Sequence, residues 1–130
     1  MEQEKVVTET GTHYLDELGI VRTTAFLGVE ETLDQAKASI AAIRKVSGDK
    51  KRPLLLDMRP IKSQTREVRA YYSSPEASGA YSAAAILVGS PMSRMIGNMF
   101  IGIGKLPVPT RLFSAEGEAI EWLKGFLDRL

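Results

Sequence analysis

The sequence has no cysteine. That excludes disulfides, thiol nucleophiles and cysteine-built metal sites, and it suits a reducing compartment. There is one histidine, His13, so a two-histidine metal site is out of reach. No G-x-S-x-G elbow accompanies it. Apolar runs fall short of the ~18 to 20 residues a helix needs to cross a bilayer. The polar, acidic opening lacks the basic and apolar regions of a signal peptide. No repeat, low-complexity tract or Gly/Ser linker marks a boundary. The expectation is one cytoplasmic domain over residues 1–130, without metal or cofactor, in which residues 1–12 form a poorly ordered N-terminal extension.

What is present suits a globular α/β chain. Apolar residues make up 44% and charged residues 25%, enough of each for a core and a solvated surface. Net charge is +1 but unevenly placed: residues 1–43 balance at −5 and residues 44–72 at +6. The basic stretch either meets an anionic partner or faces the acidic segments of its own fold. It lacks interleaved aromatics before Tyr71 and Tyr72, and no nucleic-acid-binding motif occurs, so nucleic acid is not an expected partner.

Residues 13–15 and 20–27 read as a hairpin around the turn Asp16-Glu17-Leu18-Gly19. Thr32 with Gln35 is a capping box. Leu33, Ala36, Ile40 and Ile43 then recur at helical spacing up to Gly48. Residues 53–58 read as a strand buried on both faces. Ser63 or Thr65 caps a second helix with Val68, Tyr71 and Tyr72 on one side, broken or kinked at Ser73-Ser74-Pro75. Residues 82–88 are a second buried strand. Ser90 and Pro91 open a third helix to about Ile103. Thr110 to Phe113 is the last strand. Ser114 caps a last helix with a stripe of Ala119, Ile120, Trp122, Leu123, Phe126 and Leu127. Strands alternating with helices after an opening hairpin predict a mainly parallel sheet with about four helices.

Several catalytic patterns fail on inspection. Gly102-Ile103-Gly104-Lys105 resembles part of a phosphate loop, but Met99 stands where the first glycine belongs and Leu106 where Ser or Thr belongs. His13 reads as a strand residue at the surface or half buried. The pairs Asp16-Glu17 and Glu30-Glu31 read as solvated turn residues. Asp57 is placed better, at the carboxyl end of a buried strand where open α/β sheets hold ligands. It is either a phosphoacceptor or a cap of its own loop. The acidic pair that a response-regulator receiver uses for Mg²⁺ is missing after the first strand.

Two helix starts share that end of the sheet. One is Lys62-Ser63-Gln64-Thr65-Arg66 and the other Ser90-Pro91-Met92-Ser93-Arg94. Each combines hydroxyls, a cation and unpaired backbone N–H groups, which suits an anion or a phosphorylated side chain. Ordinary capping explains the same residues. The third helix is apolar nearly all round, through Met92, Met95, Ile96, Met99, Phe100 and Ile103. With Ile101 as well, these cannot share one narrow stripe, so the helix is either core or a contact for a second copy, a partner protein or a small apolar ligand.

The stretch Val88-Gly89-Ser90-Pro91-Met92-Ser93-Arg94-Met95-Ile96-Gly97-Asn98 resembles uncharacterised bacterial proteins of the STAS/SEC14-like group. So does Pro109-Thr110-Arg111-Leu112-Phe113 followed by Glu118-Ala119-Ile120-Glu121-Trp122-Leu123. The resemblance implies a SpoIIAA-like (STAS) fold. In STAS antagonists a serine at the start of the helix after the central strand is phosphorylated by a partner kinase, and by order along the chain Ser63 or Thr65 falls near it. The family carries an acidic residue before that serine and a glycine soon after, whereas this chain has Lys62 before Ser63, then Gln64, Thr65 and Arg66. The basic neighbours favour a standing anion contact. The expectation is a non-catalytic regulatory or protein-interaction module, homodimeric or bound to a partner through Arg59, Lys62 and Arg66 and the Met92, Met95, Met99 and Phe100 surface. The alternative is a carrier of a small apolar or anionic ligand with Arg59 or Arg94 on its head group. An enzyme using Asp57 or a helix-start serine comes third.

Overall fold

The computed structural model describes residues 5–48, 50–89 and 108–127. The chain opens on an antiparallel meander of β1 (Lys5–Val7), β2 (Gly11–Leu15) and β3 (Val21–Ala25). The β2–β3 hairpin is the one the sequence predicts. Asp16 closes its turn by accepting from the N–H groups of Leu18 and Ile20 and from Arg22 Nε, at 2.9, 3.0 and 2.9 Å, and Gly19 supplies the positive φ. Strand β1 corrects the reading of residues 5–12 as an extension: Val6 pairs with His13 and Val7 with Thr12. A Cβ on Gly11 would lie 2.4 Å from Thr24 O, so the approach of β2 to β3 requires glycine there.

After the two-residue strand β4 (Glu30–Glu31) comes α1 (Leu33–Ser47). Both halves of the predicted capping box are made: Thr32 Oγ1 accepts from Gln35 N–H at 3.2 Å, and Gln35 Oε1 accepts from Thr32 N–H at 2.9 Å. Gly48 ends the helix at positive φ. Thr32→Ala is expected to cost about 1 kcal/mol, read as a lower urea midpoint at unchanged slope; no shift would mean the cap is idle.

Strand β5 (Arg52–Asp57) lies between β3 and the strand Tyr81–Leu87, and parallel to both. Strand β6 (Ser63–Gln64) pairs with β4 in a small parallel ladder of its own. Thr65, rather than Ser63, caps α2 (Arg66–Tyr72). The predicted break follows, with Ser74 capping α3 (Pro75–Ser78). Strands β7 (Tyr81–Leu87) and β8 (Thr110–Phe113) complete the six-stranded order β1-β2-β3-β5-β7-β8. The last described helix is α4 (Glu116–Lys124), whose N-cap falls on Ala115 and not on Ser114. The predicted third helix, with Met92, Met95, Met99 and Phe100, lies outside the described residues.

The sheet is packed on both faces, which is why β5 and β7 read as continuous apolar runs. Ile40, Ile43 and Val46 of α1 pack with Val21, Leu54 and Ala84 on one face. Ala119 and Leu123 of α4 pack with Ile20, Leu55, Ala83, Ala85 and Leu87 on the other. Trp122 there touches Phe113 and Phe126, with ring centroids 5.7 and 4.9 Å away. Met58, Ile86 and Val88 fill the core beneath the carboxyl ends of the strands.

Candidate functional site

Parallel strands deliver their carboxyl ends to one edge, where loops are free to carry function. Six sequence candidates lie at the end of β5 or on the segment that follows it: Asp57, Arg59, Lys62, Ser63, Thr65 and Arg66. Asp57 is fully engaged. Its Oδ1 accepts from Arg59 N–H at 3.0 Å and Nε at 2.9 Å, and its Oδ2 accepts from Arg59 Nη2 at 2.8 Å. It therefore caps its own loop and holds Arg59 in a two-pronged grip. A Cβ on Gly89 would come within 3.1 Å of Arg59 Cγ, so the bare glycine makes room for the arginine stem.

The neighbouring loops are laced together. Gly28 N–H donates to Pro60 O at 2.8 Å, and Lys62 N–H donates to Val29 O at 3.0 Å. The ladder pairs Glu30 with Ser63 and Glu31 with Gln64. The Ser63 hydroxyl donates to Glu30 Oε1 at 3.3 Å. Thr65 Oγ1 accepts from Val68 N–H at 3.2 Å. Lys62 and Arg66 are exposed. The other predicted cluster, Ser90, Ser93 and Arg94, lies outside the described residues.

Behind this edge is a polar centre that corrects the sequence reading of two residues. His13 is 1% exposed rather than at the surface. The imidazole lies between two hydroxyls: Nε2 is 3.1 Å from Thr8 Oγ1, which is also 3.2 Å from Gly11 O, and Nδ1 is 2.9 Å from Thr23 Oγ1. Burial lowers the His13 pKa to about 4. Glu31 is 8% exposed rather than a solvated turn residue. Its Oε2 accepts from Thr10 and Ser39 at 3.2 and 3.3 Å, and its Oε1 from Tyr72 at 2.7 Å. Burial raises its pKa, against the pull of those three hydroxyls. Burial, and then the Glu31 charge, hold the Tyr72 hydroxyl well above its ordinary range. Among the described residues no ion pair reaches Glu31.

A cavity of about 30 Å³ is lined by Thr10, His13, Glu31, Ser39, Gln64 and Tyr72, among others. A second, of about 20 Å³, lies on the apolar side beside Ile40, Ile43 and Leu54. Both are water-sized spaces. Gln64 Oε1 and Arg69 Nε are buried there or nearby without a hydrogen-bond partner. Arg69, 7% exposed, donates through Nη1 to Gln64 O at 2.7 Å. Among the described residues there is no cluster of metal-ligating side chains, and no helix is long and apolar enough to cross a membrane.

The burial of Glu31 rests on the β4–β6 ladder, which joins residues more than thirty positions apart. That of His13 has a local signal: β2 alternates, so His13 shares the inward face with Gly11, opposite Thr23.

This architecture is the SpoIIAA-like fold. It is shared by an uncharacterised DUF3478-family protein from Shewanella loihica PV-4, at 11% identity, TM-score 0.54, 94% of this chain and 92% of that one. An anti-sigma factor antagonist from Mycobacterium paratuberculosis matches at 17% identity, TM-score 0.55 and 95% of both chains. The chain itself belongs to the family described as a domain of unknown function, DUF7793, which matches residues 14–127. A protein of unknown function from Arthrobacter sp. FB24 is 34% identical over 91% of this chain and 95% of that one, with a TM-score of 0.36. No curated protein matches the chain.

Proposed function

We propose that this protein is a non-catalytic, cytoplasmic interaction module that docks a partner protein through the carboxyl edge of its sheet. The observation that carries this reading is the state of Asp57. The carboxylate in the ligand-binding position of the fold spends both oxygens on Arg59, so the edge presents fixed charge rather than a free nucleophile or base. An anti-sigma factor antagonist of the same fold supports a regulatory role. The lack of cysteine fits a reducing compartment.

The test is affinity capture with the tagged protein from cells that make it, followed by calorimetry on the purified partner. Lys62→Glu with Arg66→Glu is expected to weaken binding roughly tenfold or more, about 1.4 kcal/mol. Equal affinity would remove this edge as the docking surface. Light scattering of the wild type and Met99→Asp tests the remaining form of the reading, a homodimer through the segment 92–103.

A further inference from the structure

We propose that the cleft between the end of α1 and the start of β7 binds a small soluble polyanion, a compound carrying two or more phosphate or carboxylate groups. The cleft lies at the amino edge of the sheet, opposite the docking edge, so this inference is independent of the reading above. Ser47 and Gly48 close α1, Lys50 and Lys51 lead into β5, and Gly79 and Ala80 lead into β7. Parallel β5 and β7 start side by side, with Arg52 opposite Tyr81. The space between these segments is about 350 Å³, within the roughly 300 to 1,000 Å³ of small-molecule sites. Arg44, Lys50 and Lys51 line it, and the other described residues of its wall, Ser47, Gly48, Gly79 and Ala80, are small.

Cations near a helix C terminus often serve its carbonyls. Here other groups do so: Arg52 Nε donates to Ser47 O at 2.9 Å, and the Ser47 hydroxyl donates to Ile43 O at 2.7 Å. Arg44 Nη2 instead donates across to Glu76 O at 2.6 Å, which anchors the guanidinium at the cleft. Among the described residues no carboxylate lies within ion-pair distance of Arg44, Lys50 or Lys51. The segments 44–52 and 75–80 carry five cations, Arg44, Lys45, Lys50, Lys51 and Arg52, against Asp49 and Glu76. Residues 90–107 hold Arg94 and Lys105 and no carboxylate, so they do not cancel that surplus. Three cations around one concave surface suit a ligand with several anionic oxygens. No aromatic ring is among the described lining residues to stack a base, which sets the site apart from one for a nucleic-acid strand.

The probes are pyrophosphate and, in a separate arm, citrate, titrated into isotope-labelled protein and followed by NMR at about 0.1 M salt, where diffuse surface attraction is largely screened. Saturable shifts of the Lys50, Lys51, Gly79 and Ala80 amide signals are expected with one or both, and the tighter of the two names the anionic group. Lys50→Glu with Lys51→Glu, at exposed positions, is expected to weaken that binding roughly tenfold or more and to leave the thermal unfolding midpoint unchanged. Lys62→Glu with Arg66→Glu makes the same change of net charge at the opposite edge and is expected to leave the binding intact. Absence of saturable shifts with both probes overturns the proposal. So does equal weakening by the two double variants, because the anions would then follow the net charge of the whole molecule. An oligonucleotide whose binding is lost in Lys50→Glu with Lys51→Glu, while neither small anion shifts these amides, would make the edge a nucleic-acid surface and also overturn it.

Discussion

Replacing Glu31 by alanine is expected to lower stability by roughly 3 kcal/mol. The carboxylate is the acceptor for the hydroxyls of Thr10, Ser39 and Tyr72. Its removal leaves three buried donors in a space already bordering a cavity. Each orphaned donor costs about 1 to 3 kcal/mol, and local relaxation keeps the total below the sum. Urea unfolding of the wild type and the variant measures the loss. A change below about 0.5 kcal/mol, the range of an ordinary surface substitution, would show that the carboxylate is not the organiser of this centre. Glu31→Gln keeps one acceptor oxygen and is expected to fall between the two. Its deficit should vary with pH. Because burial raises the Glu31 pKa in the folded state, the stability it contributes is full below the unfolded value and is lost as pH rises through the folded one. The deficit of Glu31→Gln therefore grows on acidification from neutral.

Acid should act on the protein in the opposite sense through His13. Its pKa is about 4 in the folded state against 6.5 for a free imidazole. Its contribution is fully present above 6.5 and is lost as pH falls towards 4, because the unfolded chain takes up a proton that the folded chain refuses. The slope is at most about 1.4 kcal/mol per pH unit. The imidazole lies between Thr8 and Thr23, with Glu31 and Tyr72 on the wall of the same cavity. The Glu31 response described above offsets part of the loss where the two ranges overlap. Unfolding midpoints at pH 7, 6 and 5 are expected to decline more steeply for the wild type than for His13→Gln. Imidazole NMR signals should titrate with a midpoint near pH 4. Titration near 6.5 would mean that His13 is solvated, and the account of the buried centre would fail.

The frame of the molecule was readable because its signals are local. Thr32 with Gln35 announces α1, Gly19 the hairpin turn, and the unbroken apolar runs of β5 and β7 a sheet covered on both sides. Thr65, Ser73-Ser74-Pro75 and the stripe of α4 belong to the same class. Asp57 and Arg59 are two residues apart, so their pairing was within reach of sequence. The buried centre was not. Glu31 looks like a solvated turn acid until β6 pairs with β4, and β6 is only two residues long. Strand β1 escaped notice for a similar reason: three residues next to an acidic, polar start carry no period, and only β2 gives them a partner. Leu27 was absorbed into the apolar run of β3, which in the structure ends at Ala25.

The hydroxyls that reach Glu31 come from residues 21, 8 and 41 positions away along the chain. The cage closes only when the meander, α1 and α2 are all in place, and contacts so distant in sequence are made after the local ones. Interactions formed beyond the folding barrier govern how fast the molecule comes apart more than how fast it assembles. The carboxylate is thus expected to act as a late latch, so that Glu31→Ala speeds unfolding more than it slows refolding.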